Sequence, residues 1–500
     1  MTSRAPVHRP PSRLLPGLLL FIGLALFYAG LNIWLAGHGY AGDFDQHRWA
    51  KVLATLDVDE FRLEHIGLLY PHVPIYLLSM LHSLFGVGSA ATPVLLSGIS
   101  TALLLGLWNR HMRHKGYRLR VRLAMVALFA THPFALWAAS SALNTSLAVL
   151  FFYVFGYACY LIISVHDVRA VIMAAFLLPI LFLTDERTTF VFLALLPLLP
   201  FLAPPRMQEN SLLSVYSLMG FPLAVAVAGW IYLNWVFHGD PWSFLHATEA
   251  SFRGAVMQPE STPWLVHWGG QWLAPALIAL AAAAMAFPLP LWLTWKNRHY
   301  GRRMAAALAL FLHPVIAVGL ATAAFFLDDM INIVVLLLAA TMTVILFVPR
   351  QHARLPLLLA LLALGNAGGW LALSLYPGQQ ANAWLQAMRG KAVEQDETLA
   401  ELGMWLKANP GETLLDDRPL YRAIVARGHA RDLVLPFTHQ FKNEMKRPAP
   451  ITPQIVVSHP AGPAAALDRV TQQFPTLFRE GLPGYALAFD NGDWRVWRRN

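Results

Sequence analysis

Tyr70-Pro71-His72-Val73-Pro74-Ile75, running on to Leu84-Phe85-Gly86, is the stretch on which the topology turns. It is apolar, but it is short and carries two prolines, which suit helix starts and breaks better than an unbroken span. If it crosses a bilayer, the cluster Arg110, Arg113, Lys115, Arg118, Arg120 and Arg122 faces outward, against the positive-inside rule. Read as an interfacial or re-entrant helix on the outer side, it leaves all the basic loops on one face. A true span that inverts everything after it is the open alternative.

Composition makes a membrane the right frame. The chain has 500 residues, of which 57% are hydrophobic and 13% charged, with a mean hydropathy of +0.49. Soluble domains carry about 25% charged residues, so a soluble enzyme is excluded. Apolar runs near the bilayer-spanning length of about 20 residues recur throughout. They give eleven spans, near 14–36, 91–108, 122–138, 144–165, 169–184, 188–203, 212–237, 271–294, 304–327, 330–348 and 355–375. The first follows Arg4, Arg9 and Arg13, and its run to Leu35 exceeds the roughly 7–15 residues of a signal core, so it reads as an uncleaved span.

Counting from a cytoplasmic N-terminus, the remaining basic residues (Arg169; Arg206; Lys296, Arg298, Arg302 and Arg303; Arg350 and Arg354) join the cluster on the inner side. The acidic connections fall outside: Asp43 and Asp45, Asp185 and Glu186, Asp240 and Glu249, Asp328 and Asp329. The net charge of +9 is thereby explained by topology, without nucleic acid. The single cysteine, Cys159, excludes an intrachain disulfide.

After Tyr376 the composition changes. Residues 377–500 hold no run long enough to span. Helical spacing over Ala392–Ala408, short strands at Thr413–Leu415 and Ile455–Val457, and helices near 419–427 and 463–473 predict a small α/β domain. The span count places it outside the cytoplasm. The expected architecture is an all-α polytopic membrane domain, 1–376, followed by a periplasmic α/β domain, 377–500. The outer loops 37–90 and 238–270 would form the site.

Chemistry concentrates in those loops. In Gly42-Asp43-Phe44-Asp45-Gln46-His47-Arg48-Trp49-Ala50-Lys51, the spacing of Trp49, Val52, Leu53 and Leu56 predicts an amphipathic helix that could lie along the membrane surface. Asp43 and Gln46 have capping-box spacing, so Asp43 reads equally as an N-cap or as a catalytic or metal-binding group. Asp45 is not needed for that cap. It reads either as a solvated first-turn acid or as a functional carboxylate. A carboxylate of this kind can serve as base for an attacking hydroxyl, and cations can stabilise a departing phosphate. Arg187, in Leu183-Thr184-Asp185-Glu186-Arg187-Thr188, is a candidate phosphate clamp, or else pairs with its acidic neighbours. Glu64, His65 and His72 could bind phosphate or acceptor, although any one of nineteen histidines is a weak signal. The turn Gly239-Asp240-Pro241-Trp242 opens a loop of more than 30 residues, long enough to wall a site. Asp43-Phe44-Asp45 could hold a hard divalent cation, but two carboxylates alone do not specify one, and no cofactor is otherwise called for.

The order of these motifs resembles the GT-C superfamily, the membrane glycosyltransferases that use lipid-phosphate-linked sugars. It is similar to the branch of protein O-mannosyltransferases and bacterial lipid A aminoarabinose transferases. Asp45-Gln46-His47-Arg48-Trp49-Ala50 resembles that branch's first-loop signature, which implies that Asp45 is the catalytic carboxylate; Gln46 replaces the usual second acid. Leu69–Tyr76 with Leu84-Phe85-Gly86 is similar to its proline-containing segment, with His72 between the prolines. Thr131-His132-Pro133 through Asn144 resembles the second outer loop, where Asn144 stands in place of a common Asp. Arg187 and Gly239-Asp240-Pro241 also fall at recurrent positions. The resemblance covers roughly 14–375.

The resulting expectation is a bacterial inner-membrane transferase that moves a sugar from a polyprenyl-phosphate donor to a lipid, protein or polysaccharide acceptor on the periplasmic face. Two competitors remain. A transporter or flippase would place charges within its spans, whereas these spans are nearly charge-free. A non-catalytic scaffold of an envelope polysaccharide assembly is favoured by Gln46 and Asn144 at positions where acids are expected.

Overall fold

The computed structural model describes residues 15–57, 72–85, 90–167, 169–185, 187–202, 211–239, 241, 273–323, 330–348, 354–375, 379–393 and 397–500. Glu64, His65, Glu186, Asp240, Trp242, Asp328 and Asp329 lie outside these residues. In chain order the first helices are α1 (Leu15–Gly37), α2 (Asp43–Leu56), α3 (His72–Phe85), α4 (Thr92–His114) and α5 (Leu119–Ala130). They are followed by α6 (Pro133–Ser140), α7 (Leu143–Tyr160), α8 (Arg169–Phe182) and α9 (Thr188–Leu195).

Among the described residues, six helices are long and apolar enough to cross a membrane: Leu15–Gly37, Thr92–His114, Leu143–Val165, Leu213–Phe237, Arg302–Leu320 and Leu355–Ser374. The pair α5 and α6, bent by 64°, makes a seventh if it is one broken span. Three more of the eleven expected positions hold shorter apolar helices, Arg169–Phe182, Thr188–Leu202 and Ile331–Phe347. Proline shortens and breaks such elements by removing a backbone donor. Pro179 lies inside α8, and Pro197 sits in a 3₁₀ turn after α9. α3 has 14 residues, short of the roughly 20 a span needs.

The long helices are apolar on nearly all sides, as helices facing lipid on one side and protein on the other must be. α1 exposes Leu26 and Ile33 while burying Tyr28, Asn32 and Leu35. Its buried polar groups tie it to three other segments. Tyr28 donates to the Ala130 carbonyl at 3.2 Å, and Asn32 Nδ2 to the carbonyls of Val94 at 3.0 Å and Ala139 at 3.1 Å. Deeper in, Trp108 donates to the Met342 carbonyl and Trp137 to Asn332 Oδ1, so these two buried indoles are satisfied.

The two ends of the bundle differ. At one end lie the breaks after α1, between α6 and α7, and between α8 and α9. At the other, Lys115 Nζ caps the carbonyl end of the Leu336–Phe347 helix, bonding Leu346 and, at 2.8 Å, Val348. Arg303 there donates to the Ser164 carbonyl at 3.4 Å.

The C-terminal part builds a five-stranded sheet in the order β2-β1-β3-β5-β4. The strands are β1 (Thr413–Leu414), β2 (Leu433–Val434), β3 (Gln454–Ser458), β4 (Tyr485–Asp490) and β5 (Trp494–Arg499). β1 runs parallel to β2 and β3, whereas β5 pairs antiparallel with β3 and β4. The helix Asp417–Arg427 is the β1–β2 crossover. β4 and β5 form a hairpin over Asn491-Gly492-Asp493, where Gly492 takes φ +89°.

α2 differs from its sequence reading in two ways. It is capped at Gly42, which makes Asp43 its first helical residue rather than its N-cap. Its apolar residues Trp49, Val52 and Leu53 also do not lie along a membrane surface. They enter a buried cluster with Ile75, Leu78, Leu143 and Leu147 on one side and Leu420, Ala423 and Ile424 of the C-terminal part on the other.

Candidate functional site

The site is built on a missing helix cap. α7 begins after Ala142, an extended residue with φ −163° that has no side chain able to accept the orphan N–H groups of the first turn. A carboxylate from another helix supplies the acceptor: Asp45 Oδ1 takes the Leu143 N–H at 2.9 Å, across 98 positions of sequence. Gly42 makes the approach possible, since any Cβ there would run into the Ser141 carbonyl. The turn between α6 and α7 and the start of α2 therefore fit as one piece.

Asp45 is 1% exposed. Its second oxygen, Oδ2, is buried without a hydrogen-bond partner among the described residues. Arg48, one turn on, brings a terminal guanidinium nitrogen to 3.8 Å of Oδ1. Burial pushes the Asp45 carboxyl up to about 6, against the opposing pull of Arg48 and the Leu143 N–H. At neutral pH it is an ionised carboxylate more basic than a solvated one.

Asn144, the next residue of α7, continues the network. Its Nδ2 donates to Asp185 Oδ2 at 2.8 Å, and its Oδ1 is a second buried acceptor without a partner among the described residues. Asp185 is forked by Arg187, with Nε to Oδ1 and a terminal nitrogen to Oδ2 both at 2.7 Å, and also takes the Arg187 N–H. Such bidentate, charge-assisted pairs are strong and fix the guanidinium plane. Arg187 thus sits in the arrangement read from the sequence as an ion pair with a neighbour. Asn144 is buried between α7 and the α8–α9 turn rather than in a loop wall.

His72 opens α3, which is tied to the same turn by the Val73 N–H on the Leu183 carbonyl at 2.9 Å. The imidazole stands edge-on to Trp230, with centroids 4.2 Å apart. Burial lowers its pKa to about 4, so at neutral pH it can exchange hydrogen bonds but brings no positive charge for a phosphate. The structure therefore brings Asp45, Asn144, Arg187 and His72 to one end of the bundle. Glu64, His65, Asp240 and Trp242 lie outside the described residues, as does the Asp43 side chain. Among the described residues no three His, Cys, Asp or Glu side chains gather to hold a metal ion.

Sequence reasoning missed the Leu143 N–H, Gly42 and Trp230, and weighed Asp185 only as a partner for Arg187. The available signal was Ala142 in a helix-starting position, where a capping residue is normally required.

No protein-family model and no curated protein sequence matches the chain. Among solved structures the chain is similar to the crystal structure of ArnT from Cupriavidus metallidurans bound to undecaprenyl phosphate. The two are 12% identical with a TM-score of 0.52, over 96% of this chain and 97% of that one. The apo-state crystal structure of the same ArnT matches at 12% identity and TM-score 0.49, over 97% and 98%. Identity this low, spread over nearly the whole of both chains, speaks to architecture: this chain has the fold of that ArnT.

Proposed function

We propose that the chain is a membrane glycosyltransferase that moves a sugar from a polyprenyl-phosphate donor to an envelope acceptor, with Asp45 as general base. The observation that carries this reading is the division of labour between the two Asp45 oxygens. Oδ1 is spent on the Leu143 N–H, which fixes the carboxylate's direction. Oδ2 is the buried acceptor positioned to take a proton. An acceptor hydroxyl placed against Oδ2 would lose its proton as it attacks the anomeric carbon. The electrons of the breaking sugar–phosphate bond would leave with the lipid phosphate. That phosphate is a weak base, so it needs positive charge and no strong general acid.

Arg187 is the proposed phosphate contact. Asp185 holds its guanidinium in place and offsets its charge, so the phosphate must share or displace that pair. A role for His65 and for the 238–270 loop in donor or acceptor binding belongs to the same proposal. So do the eleven-span topology, an inner-membrane location, and the placing of the site and of residues 377–500 on the periplasmic face. The gathering of Lys115 and Arg303 at the opposite end of the bundle supports that orientation. A divalent cation would find oxygen acceptors in Asp45 Oδ2 and Asn144 Oδ1, too few to specify a site; no step is routed through one.

The fold likeness directs the choice of probe, since that ArnT was crystallised with undecaprenyl phosphate. Purified protein in nanodiscs should release undecaprenyl phosphate from one member of a panel of synthetic undecaprenyl-phosphate pentoses and hexoses, given an envelope lipid extract as acceptor. Transport of such a donor into proteoliposomes with no glycosidic bond broken would overturn the reading.

A further inference from the structure

We propose that the C-terminal part of the chain is a positioning element of the site, holding α2 from behind through Asp57 and Tyr421 so that Asp45 stays docked on α7. Successive helical residues turn by about 100°. Asp45, Arg48, Trp49 and Val52 therefore share one face of α2, and His47, Lys51 and Ala54 share the opposite one. The first face meets the membrane domain, through the Leu143 N–H at one end and through Trp49, whose ring lies 5.7 Å from that of His82 on α3. The second face meets the Asp417–Arg427 helix. His47 packs edge-to-face on Tyr421 with ring centroids 5.6 Å apart, and Ala54 shares a buried cluster with Leu420, Ala423 and Ile424.

At the far end of α2, Asp57 fastens the helix to the loop that precedes β2. Its Oδ2 accepts the Ala430 N–H at 2.6 Å, and Oδ1 lies 3.8 Å from Arg431 Nε. The contact at His47 is a neutral one. Burial, with Lys51, Arg48 and Arg418 around it, holds the His47 ring well below its usual pKa. At His47 the backing is therefore steric, and at Asp57 it is a hydrogen bond beside the ion pair with Arg431.

A helix of 14 residues has little stability of its own and takes its position from what packs on it. α2 is fixed on two opposite sides, and among the described residues the side away from Asp45 packs on the Asp417–Arg427 helix of the C-terminal part. Loosening that side would let the Asp45 end tilt or fray, and a misplacement of about 1 Å is enough to cost on the order of 10²-fold in rate.

The kinetic half of this inference rests on Asp45 acting as proposed above, and the structural half does not. Hydrogen exchange of residues 43–56 is measured in full-length protein in nanodiscs for Asp57→Ala and Tyr421→Ala, and for the conservative Asp57→Asn and Tyr421→Phe. Asp57→Asn keeps an oxygen for the Ala430 N–H, and Tyr421→Phe keeps the ring under His47. The expected result is exchange at 43–50, the end distant from Asp57, faster by about tenfold or more in both alanine variants and restored in the conservative pair. With the donor that is turned over, kcat should fall by about tenfold in the alanine variants while donor KM stays at the wild-type value. Faster exchange confined to residues 54–57, or none, would overturn the proposal whatever the kinetics. Faster exchange at 43–50 without restoration in the conservative pair would overturn the assignment to Asp57 and Tyr421. Should Asp45→Asn retain full turnover, the catalytic reading fails and the exchange result alone decides the positioning one.

Discussion

Asp45→Asn separates catalysis from folding, because the two are expected to move in opposite directions. The native carboxyl is raised from 3.8 to about 6 by burial. A folded-state pKa above the unfolded one means that the charged form costs stability above about pH 6, a cost relieved as pH falls towards 3.8. Two pKa units amount to about 3 kcal/mol at neutral pH. Asparagine removes that charge and keeps an oxygen for the Leu143 N–H. What it forfeits is the charge-assisted part of the bond, about 1 kcal/mol. The variant should therefore unfold at the wild-type temperature or above it. Turnover should fall by about 10²–10⁴-fold, the usual contribution of a general base, which is roughly 2.7–5.5 kcal/mol of barrier. The measurements are thermal unfolding in detergent and release of undecaprenyl phosphate from the donor. Turnover within about threefold of wild type would remove Asp45 from the chemistry. A lowered Tm that accompanies lost turnover would show instead that the carboxylate chiefly serves as the cap of α7.

The acid limb of kcat/KM should bend near pH 6 and fall by about tenfold per unit below it, as Asp45 takes up a proton; a limb at the ordinary carboxylate range near 4 would refute the buried setting. Asp185→Asn takes away the carboxylate that the buried Arg187 forks, at a cost of about 3–5 kcal/mol, read as a lower Tm and folded yield. The double variant Asp185→Leu with Arg187→Met should recover most of that loss, since a buried ion pair contributes little net stability against an apolar replacement. Gly42→Ala should cost about 1–3 kcal/mol because its Cβ meets the Ser141 carbonyl, a backbone atom that cannot rotate away. Gly37→Ala, with open space around it, is the control and should leave Tm unchanged.

Much of the architecture was legible because bilayer length and charge placement are coarse signals. A run such as Leu15–Gly37 admits one reading, and the segregation of Arg110–Arg122 from Asp45 and Asp185 reappears as opposite ends of the bundle. The small sheet was half legible. β1 and β3 are read as short apolar runs, whereas β2, as short as β1, is passed over and β4 alternates weakly. The Asn491-Gly492 hairpin signal was there to be used. Capping was misjudged by one residue, since Gly42 competes with Asp43 for the role and only the close approach to Ser141 decides it. The surface-helix reading of α2 failed because periodicity reports that a face is buried and never says against what. Asn144 looked like a replaced acid, yet the acid that matters to it, Asp185, comes from another turn, and such pairing has no trace in local sequence.

The position of the network explains why so few polar residues suffice. In a helical membrane protein the backbone is satisfied within each helix except at its ends, so the first turns of helices are the places where unpaired N–H groups and a favourable dipole meet. Placing the breaks before α7 and before α9 side by side puts two such ends within reach of Asp45 and Asp185. Asp45 satisfies the Leu143 N–H and so fixes the start of α7, and Asp185 takes the Arg187 N–H and fixes the Arg187 guanidinium as well. For a proposed base this arrangement sets strength as well as direction. Were both oxygens of Asp45 bonded, its pKa would fall and it would be a poor proton acceptor. One bonded oxygen and one held in reserve, in a buried setting, keep the group ionised at neutral pH and still basic enough to act.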